Sequence, residues 1–275
     1  MNLRTCLLTA NSCYKSGKTI VPRGVMVHST GANNPKASRY VPGDAVIGYN
    51  TGGNHWNQSN EQWLEKYGTK LSKCVHALIG KFADGSVGTV KTLPWTMRGW
   101  HCASSGNDTH IAFEIGEDGL TDPAYFAAVY QEAVELTAYL CKTYGLDPLA
   151  DGVVICHQEG YQRGIASNHG DVLHWFPKFG KSMDDFRAAV AAEIEGDNML
   201  TEAQIRAIVR DEVAAVEAER AKLPASDWAK PHIQEAIGRG LMEKNTAGTI
   251  DRPQAGTTRQ ELATVANAIY EAVKG

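Results

Sequence analysis

The sequence predicts an α/β domain over residues 1–196, then a helical linker at 197–224 and a small all-α unit at 225–275. Three observations lead there. Short apolar runs bounded by Gly, Asp or Lys alternate with capped helices, which is the pattern of an α/β layer fold. Gly196-Asp197-Asn198 interrupts that alternation. Beyond the break only helix signals continue.

Four runs read as buried strands: Gly24 to Ser29, Cys74 to Gly80, Thr109 to Gly116 and Gly152 to Cys156. Each is short and rich in Val, Ile or Phe. Asp84-Gly85 is a tight-turn signal and predicts a hairpin from Val75 to Val90. A helix follows, capped by Thr121 or Asp122, with Pro123 in its first turn and Gly145 closing it after Lys142. Phe126, Val129, Tyr130, Ala133, Thr137, Leu140 and Cys141 share one face of it, which packs on the sheet. A second helix starts at Ser182, with Asp185 as a capping-box partner, and ends near Glu195.

In the linker, Thr201-Glu202-Ala203-Gln204 is a capping box that opens a helix over 201–223. Its stripe of Ile205, Ile208, Val209, Val213 and Val216 suits a spacer or a short dimerising coil, so a homo-oligomer through this helix is one expectation. The last unit carries a helix led by Ser226-Asp227-Trp228 to about Gly238. A final helix starts at Thr257-Thr258-Arg259-Gln260-Glu261 and runs to Val273.

Composition is that of an ordinary soluble protein, 43% hydrophobic and 21% charged. A net charge of -4 without like-charge runs argues against a nucleic-acid partner, which wants a basic patch. The tail from Asn198 counts 10 basic and 11 acidic residues, so it has no charge footprint either. No stretch approaches the roughly 18–20 apolar residues of a membrane span. Met1 to Ala10 lacks a continuous apolar core, so the expectation is synthesis in the cytoplasm without a signal peptide. Six cysteines form no CxxC pair, against a zinc ribbon, and a core of this size makes free thiols the expectation.

Val27-His28-Ser29-Thr30 and Ile155-Cys156-His157-Gln158 each end an apolar run in a histidine. One such histidine is ordinarily a hydrogen-bonded core residue; two at the ends of two buried strands point to ligands. The loop Ser167 to Trp175 adds three candidate third ligands, His169, Asp171 and His174, among which spacing does not choose. Two histidines and one carboxylate leave a fourth zinc position open for water, as hydrolytic centres do and structural ones do not. Glu114 in Ile111-Ala112-Phe113-Glu114-Ile115 is an acid among apolar neighbours, suited to moving a proton. Its competing reading is an ion pair with Arg98 or Arg163. His76 reads as structural or as support for a ligand, His55 and His110 as structural, and His232 as surface.

The order of Val27-His28-Ser29-Thr30, Trp100-His101, Ile111-Ala112-Phe113-Glu114, His157 and the late loop resembles the zinc-dependent N-acetylmuramoyl-L-alanine amidases of the amidase_2 family, relatives of peptidoglycan recognition proteins. The resemblance covers about residues 20 to 195. It implies a mixed central sheet flanked by helices, and a zinc ion held by His28, His157 and Asp171. It further implies Glu114 as the proton-transfer acid and His169, in place of the family's lysine, as oxyanion stabiliser. Trp100 and His101 then lie at the substrate groove, core packing being the competing reading for Trp100. Val172-Leu173 stands where the family has Pro-Gly, and the spacing from His157 to Asp171 exceeds the family's usual one.

Trp228-Ala229-Lys230, Gly240-Leu241, Asp251-Arg252-Pro253 and Thr258-Arg259-Gln260-Glu261 resemble a single S-layer homology repeat. That likeness implies binding to a secondary cell-wall polymer, with Arg259 as the contact, or a helix-start surface charge instead. Together the two resemblances imply a peptidoglycan hydrolase of phage-endolysin type, made in the cytoplasm and admitted to the wall by holin pores. The other readings are a non-catalytic peptidoglycan-binding protein, a cytoplasmic muropeptide-recycling amidase, and a zinc site with a structural role only.

Overall fold

The apolar runs assemble into one six-stranded sheet. In chain order its strands are β1 (Leu3–Thr5), β2 (Gly24–Asn33), β3 (Ala77–Lys81), β4 (Val87–Lys91), β5 (His110–Glu117) and β6 (Val154–Cys156). They lie in the order β1-β4-β3-β5-β2-β6. Only β3 and β4 pair antiparallel, as the hairpin around Asp84-Gly85; all other neighbours are parallel, so the sheet is mixed. The computed structural model describes residues 1–198 apart from Ser72, and beyond them Asp211, Ala225, 227–243, Ala263, Thr264 and Asn267. The chain divides into two compact units, Met1–Asn198 and Met199–Gly275.

The helices of the first unit are α1 (Ser12–Ser16), α2 (Asn60–Tyr67), α3 (Pro123–Tyr144), α4 (His157–Gln162) and α5 (Met183–Asn198). Asp122 caps α3 by accepting the Ala124 and Tyr125 N–H groups, and Gly145 ends it in the left-handed region. The seven residues assigned to its buried face are all buried. Ser182 and Asp185 cap α5 reciprocally, and the helix runs three residues past its expected end.

Alternation along the strands sorts the sheet into two faces. Val25, Val27, Ile111, Phe113 and Ile115 pack with Phe126, Val129 and Ala133 of α3. Met26, Ala112, Leu78 and Ile155 face the other way, under Val41, Ile47, Trp56 and Leu71. His28 and Glu114 lie two residues beyond Met26 and Ala112, on that second face. They sit midway along two parallel strands, directly across from each other.

The strand expected from Cys74 begins only at Ala77. Cys74 makes an isolated bridge to Trp100, and His76 spends both ring nitrogens on backbone. Its Nε2–H donates to the Met97 carbonyl at 2.7 Å, and its Nδ1 accepts the Ala112 N–H at 3.0 Å. The N-terminal residues read only as a poor leader supply β1, paired to β4. Strands β5 and β6 start one and two residues later than expected, and β2 continues past Ser29 to Asn33 with a register irregularity. The six cysteines are free thiols. Among the described residues no helix is long and apolar enough to cross a membrane.

In the second unit α6 (Ala229–Gly238) buries Ile233 and Ala236 against Ala263, and Trp228 is more than half exposed. Of the expected 201–223 helix only Asp211 is described, and of the helix from Thr257 only Ala263, Thr264 and Asn267, all four helical; Arg259 lies outside the described residues.

Burial pushes His76 down to about 4, against the pull of its Met97 and Ala112 hydrogen bonds. Its folded value lies below the ordinary one of about 6.5, so its contribution is present above that pH and lost as pH falls toward 4. Urea unfolding should show wild type losing roughly 3 kcal/mol more than His76→Gln over this window, at about 1.4 kcal/mol per pH unit.

Candidate metal centre

Three elements deliver three donor atoms to one point. His28 lies on β2, which is paired on both sides, to β5 and to β6. His157 is the first residue of α4. That helix start is braced: the Glu159 carboxylate accepts the Cys156 N–H at 2.9 Å, and Arg187 of α5 donates to Glu159 at 3.1 Å and to the Val154 carbonyl at 3.0 Å. Asp171 opens the 3₁₀ turn Asp171–His174 with φ 41, a left-handed conformation that aspartate tolerates better than most residues.

His28 Nδ1 lies 3.1 Å and His157 Nδ1 lies 3.0 Å from Asp171 Oδ2, and the two nitrogens are 3.1 Å apart. Ligand bonds of about 2.0–2.2 Å in a tetrahedron place donors about 3.3–3.6 Å from one another, close to this triangle. Protons alone satisfy it poorly. If both Nδ1 atoms donate to Asp171, their hydrogens face each other; a cation serves all three donors at once. His28 is held below its ordinary pKa by burial, against the Asp171 carboxylate, which favours the neutral ring that binds metal. Burial raises Asp171, but hydrogen bonds from His157 and His28 outweigh it and hold the carboxyl well below its usual range. His28, His157 and Asp171 are thus a donor set that could hold a metal ion.

Of the three loop candidates, Asp171 joins the cluster. His174 instead pairs through Nε2 with the buried Glu117 of β5 at 3.0 Å. His169 has its ring 4.7 Å from that of His157, and the Ser167 hydroxyl touches both, at 3.1 Å to His169 Nδ1 and 3.2 Å to His157 Nε2. Glu114 is the register partner of His28 across β2 and β5, and its buried Oε2 has no hydrogen-bond partner among the described residues. Burial, then the charges of Asp171 and Glu117, push its carboxyl well above the ordinary range; Arg39 and Lys73 oppose them. The ion pair considered for Glu114 is not formed, because Arg98 holds Asp108 and Arg163 holds Asp151.

Trp100 is 37% exposed on the wall of a cleft of about 760 Å³, with the Arg98 guanidinium over its ring. His101 also borders the cleft, but its Nδ1 lies 3.1 Å from His28 Nε2. Sequence reasoning missed Ser167 and, among the lining residues, Tyr40, Trp56, Trp63 and Tyr67 with Arg39 and Lys73. Tyr40 stacks on Trp56, and Trp63 lies against Tyr67 one turn along α2. A usable signal existed: Ser59 and Gln62 form a capping box directly before Trp63.

A family model, described as N-acetylmuramoyl-L-alanine amidase, matches residues 17–174. That span holds His28, Trp100, His101, Glu114, His157, His169 and Asp171. No curated protein matches the chain. Among solved structures, the Staphylococcus aureus hydrolase AmiA in complex with its ligand is 18% identical with a TM-score of 0.47, over 70% of this chain and 82% of that one. A mutant endolysin from Bacillus subtilis is 19% identical with a TM-score of 0.43, over 69% and 99%. The N-acetylmuramoyl-L-alanine amidase LysC from Clostridium intestinale is 13% identical with a TM-score of 0.39, over 62% and 87%.

The buried Glu114 makes a stability prediction for metal-free protein. Its folded pKa lies above the unfolded value of about 4.3, so its contribution is full below that pH and is lost as pH rises toward the folded value. In thermal melts with a chelator, Glu114→Gln should be more stable than wild type at pH 8, and the gap should close near pH 4.

Proposed function

We propose, for a chain that belongs to the N-acetylmuramoyl-L-alanine amidase family, that it is a zinc-dependent peptidoglycan hydrolase. It cuts the amide between the lactyl group of N-acetylmuramic acid and the L-alanine of the stem peptide. The observation that carries this reading is the triangle of His28 Nδ1, His157 Nδ1 and Asp171 Oδ2 beside the unpartnered Glu114. Zinc, when bound there, supplies Lewis acidity and lowers the pKa of water toward neutrality.

The chain's own groups do the rest. Glu114 takes a proton from the attacking water, whose oxygen bonds to the scissile carbonyl carbon. As the C–N bond breaks, Glu114 returns that proton to the leaving amine nitrogen. A carboxyl with raised proton affinity suits both halves of this transfer. Ser167 engages His169 Nδ1, which leaves the Nε2 side of that ring for the carbonyl oxygen as negative charge develops on it. Trp100 offers an aromatic face to sugar or peptide, and Tyr40, Trp56, Trp63 and Tyr67 line the same cleft.

The amidase unit followed by a second, helical unit supports an endolysin arrangement, encoded by a phage or prophage and released to the wall through holin pores. In the second unit the exposed Trp228 and the turn at Gly240-Leu241 belong to the S-layer homology-like pattern. We assign that unit to a secondary cell-wall polymer, with Arg259 as a contact and self-association through residues 201–223 as a source of avidity.

Digestion of purified cell walls tests the reading by release of new L-alanine amino termini. Glu114→Ala should lower the rate by about 10²- to 10⁴-fold while the protein keeps its zinc. Asp171→Ala should lose zinc and activity together. A zinc-loaded wild type that binds walls yet releases no amino termini would instead be a binding protein.

A further inference from the structure

We infer that His101 is a positioning residue for His28, its Nδ1 receiving the proton that His28 must carry on Nε2 when Nδ1 binds metal. This rests on the zinc reading above and adds a residue to it. The geometry is specific. His28 presents Nδ1 to His157 and Asp171, and on the opposite edge of the same ring its Nε2 lies 3.1 Å from His101 Nδ1. The rings meet edge-on, with centroids 5.2 Å apart and planes at 74°. The other nitrogen of His101 is buried, and the ring also meets the His110 backbone, which favours a proton on the ring.

The placement of His101 is built from both sides. The buried Asn107 accepts the His101 and Cys102 N–H groups on its Oδ1, at 2.7 and 3.2 Å, and donates from Nδ2 to the Ser104 carbonyl at 2.7 Å. On the other flank Trp100 and Cys74 exchange two backbone hydrogen bonds, at 2.9 and 3.0 Å. A side chain needed only as a sugar contact requires neither the buried anchor nor the aim at His28.

Two neutral arrangements fit this pair. In one, His28 donates from Nδ1 to Asp171, and its Nε2 accepts the His101 Nδ1 proton. In the other, His28 Nδ1 is bare, and its Nε2–H donates to a bare His101 Nδ1. Passing from the first to the second removes one proton at His28 Nδ1, adds one at His101 Nε2, and moves the shared proton across the contact. Net charge is unchanged, and only the second arrangement frees Nδ1 for a metal ion. Without His101 the Nε2–H of His28 would be buried with no acceptor, a cost that metal binding would have to offset. His157 needs no such partner, because its Nε2 meets the Ser167 hydroxyl, which can accept or donate.

The test measures zinc affinity by competition with a chromophoric chelator, using the full chain as wild type, His101→Ala and His101→Asn. Asparagine carries an acceptor oxygen near the position of Nδ1; alanine carries none. His101→Ala should bind zinc about 10- to 100-fold more weakly, the usual loss for a partner behind a metal ligand, and His101→Asn should recover most of that loss. Imidazole nitrogen NMR of zinc-loaded wild type should find the protons of both His28 and His101 on Nε2, a readout that needs no variant. Equal affinity of His101→Ala and wild type, equal weakening by Ala and Asn, or a proton on His101 Nδ1 in the loaded protein would overturn the inference alone. A wild type that takes up no zinc would remove the metal reading and this inference with it.

Discussion

Two imidazoles and one carboxylate, drawn from three separate elements, converge to 3.0–3.1 Å in a mostly buried place. Buried polar groups cost free energy unless each finds a partner, so this convergence constrains everything around it. The protein meets it by fixing the carriers. Strand β2 is held from both sides, α4 is held by the relay from Arg187 to Glu159, and the Asp171 turn is pinned to β5 through His174 and Glu117. Gly106 completes the framework. Its N–H donates to the Ile165 carbonyl at 2.9 Å, and a Cβ there would lie 2.8 Å from that oxygen, so only glycine lets the two supporting loops close on each other.

The same framework explains why Glu114 is left unpartnered. On a stability criterion alone, a buried carboxyl beside Asp171 and Glu117 is a defect, and a glutamine would serve better. The role proposed for Glu114, taking and returning one proton in a partly dry cleft, is a requirement that conflicts with stability at this position. The cleft brings together Arg39 and Lys73, the aromatic rings of Tyr40, Trp56, Trp63, Tyr67 and Trp100, and the cluster of His28, His157, Asp171 and Glu114.

What could be read beforehand followed periodicity and caps. Helix α3 announced itself by Asp122, Pro123 and Gly145, and its buried face by the spacing from Phe126 to Cys141. The runs through Met26 and Ala112 carried His28 and Glu114 to the same face because strand side chains repeat every two residues. Loop geometry was not legible in this way. Choosing among His169, Asp171 and His174 depends on where Glu117 and Ser167 stand, and those positions follow from the order of strands in the sheet. Edge strand β1 spans three residues and has no pattern to detect. Helix α2 carries a capping box, but nothing local tells that its aromatic pair, Trp63 and Tyr67, lines the cleft. His101 was expected at the substrate groove, and its aim at His28 is a tertiary fact that no local pattern encodes.

The proposed metal centre requires that His28, His157 and Asp171 together hold one zinc ion. X-ray absorption at the zinc edge of the loaded full chain, with metal content measured in parallel, tests it most directly. The expected result is one zinc per chain with two imidazoles and light oxygen ligands in a four-coordinate shell, and loss of that site in Asp171→Asn. A third imidazole in the shell, retention of the site in Asp171→Asn, or failure of wild type to take up zinc would contradict it.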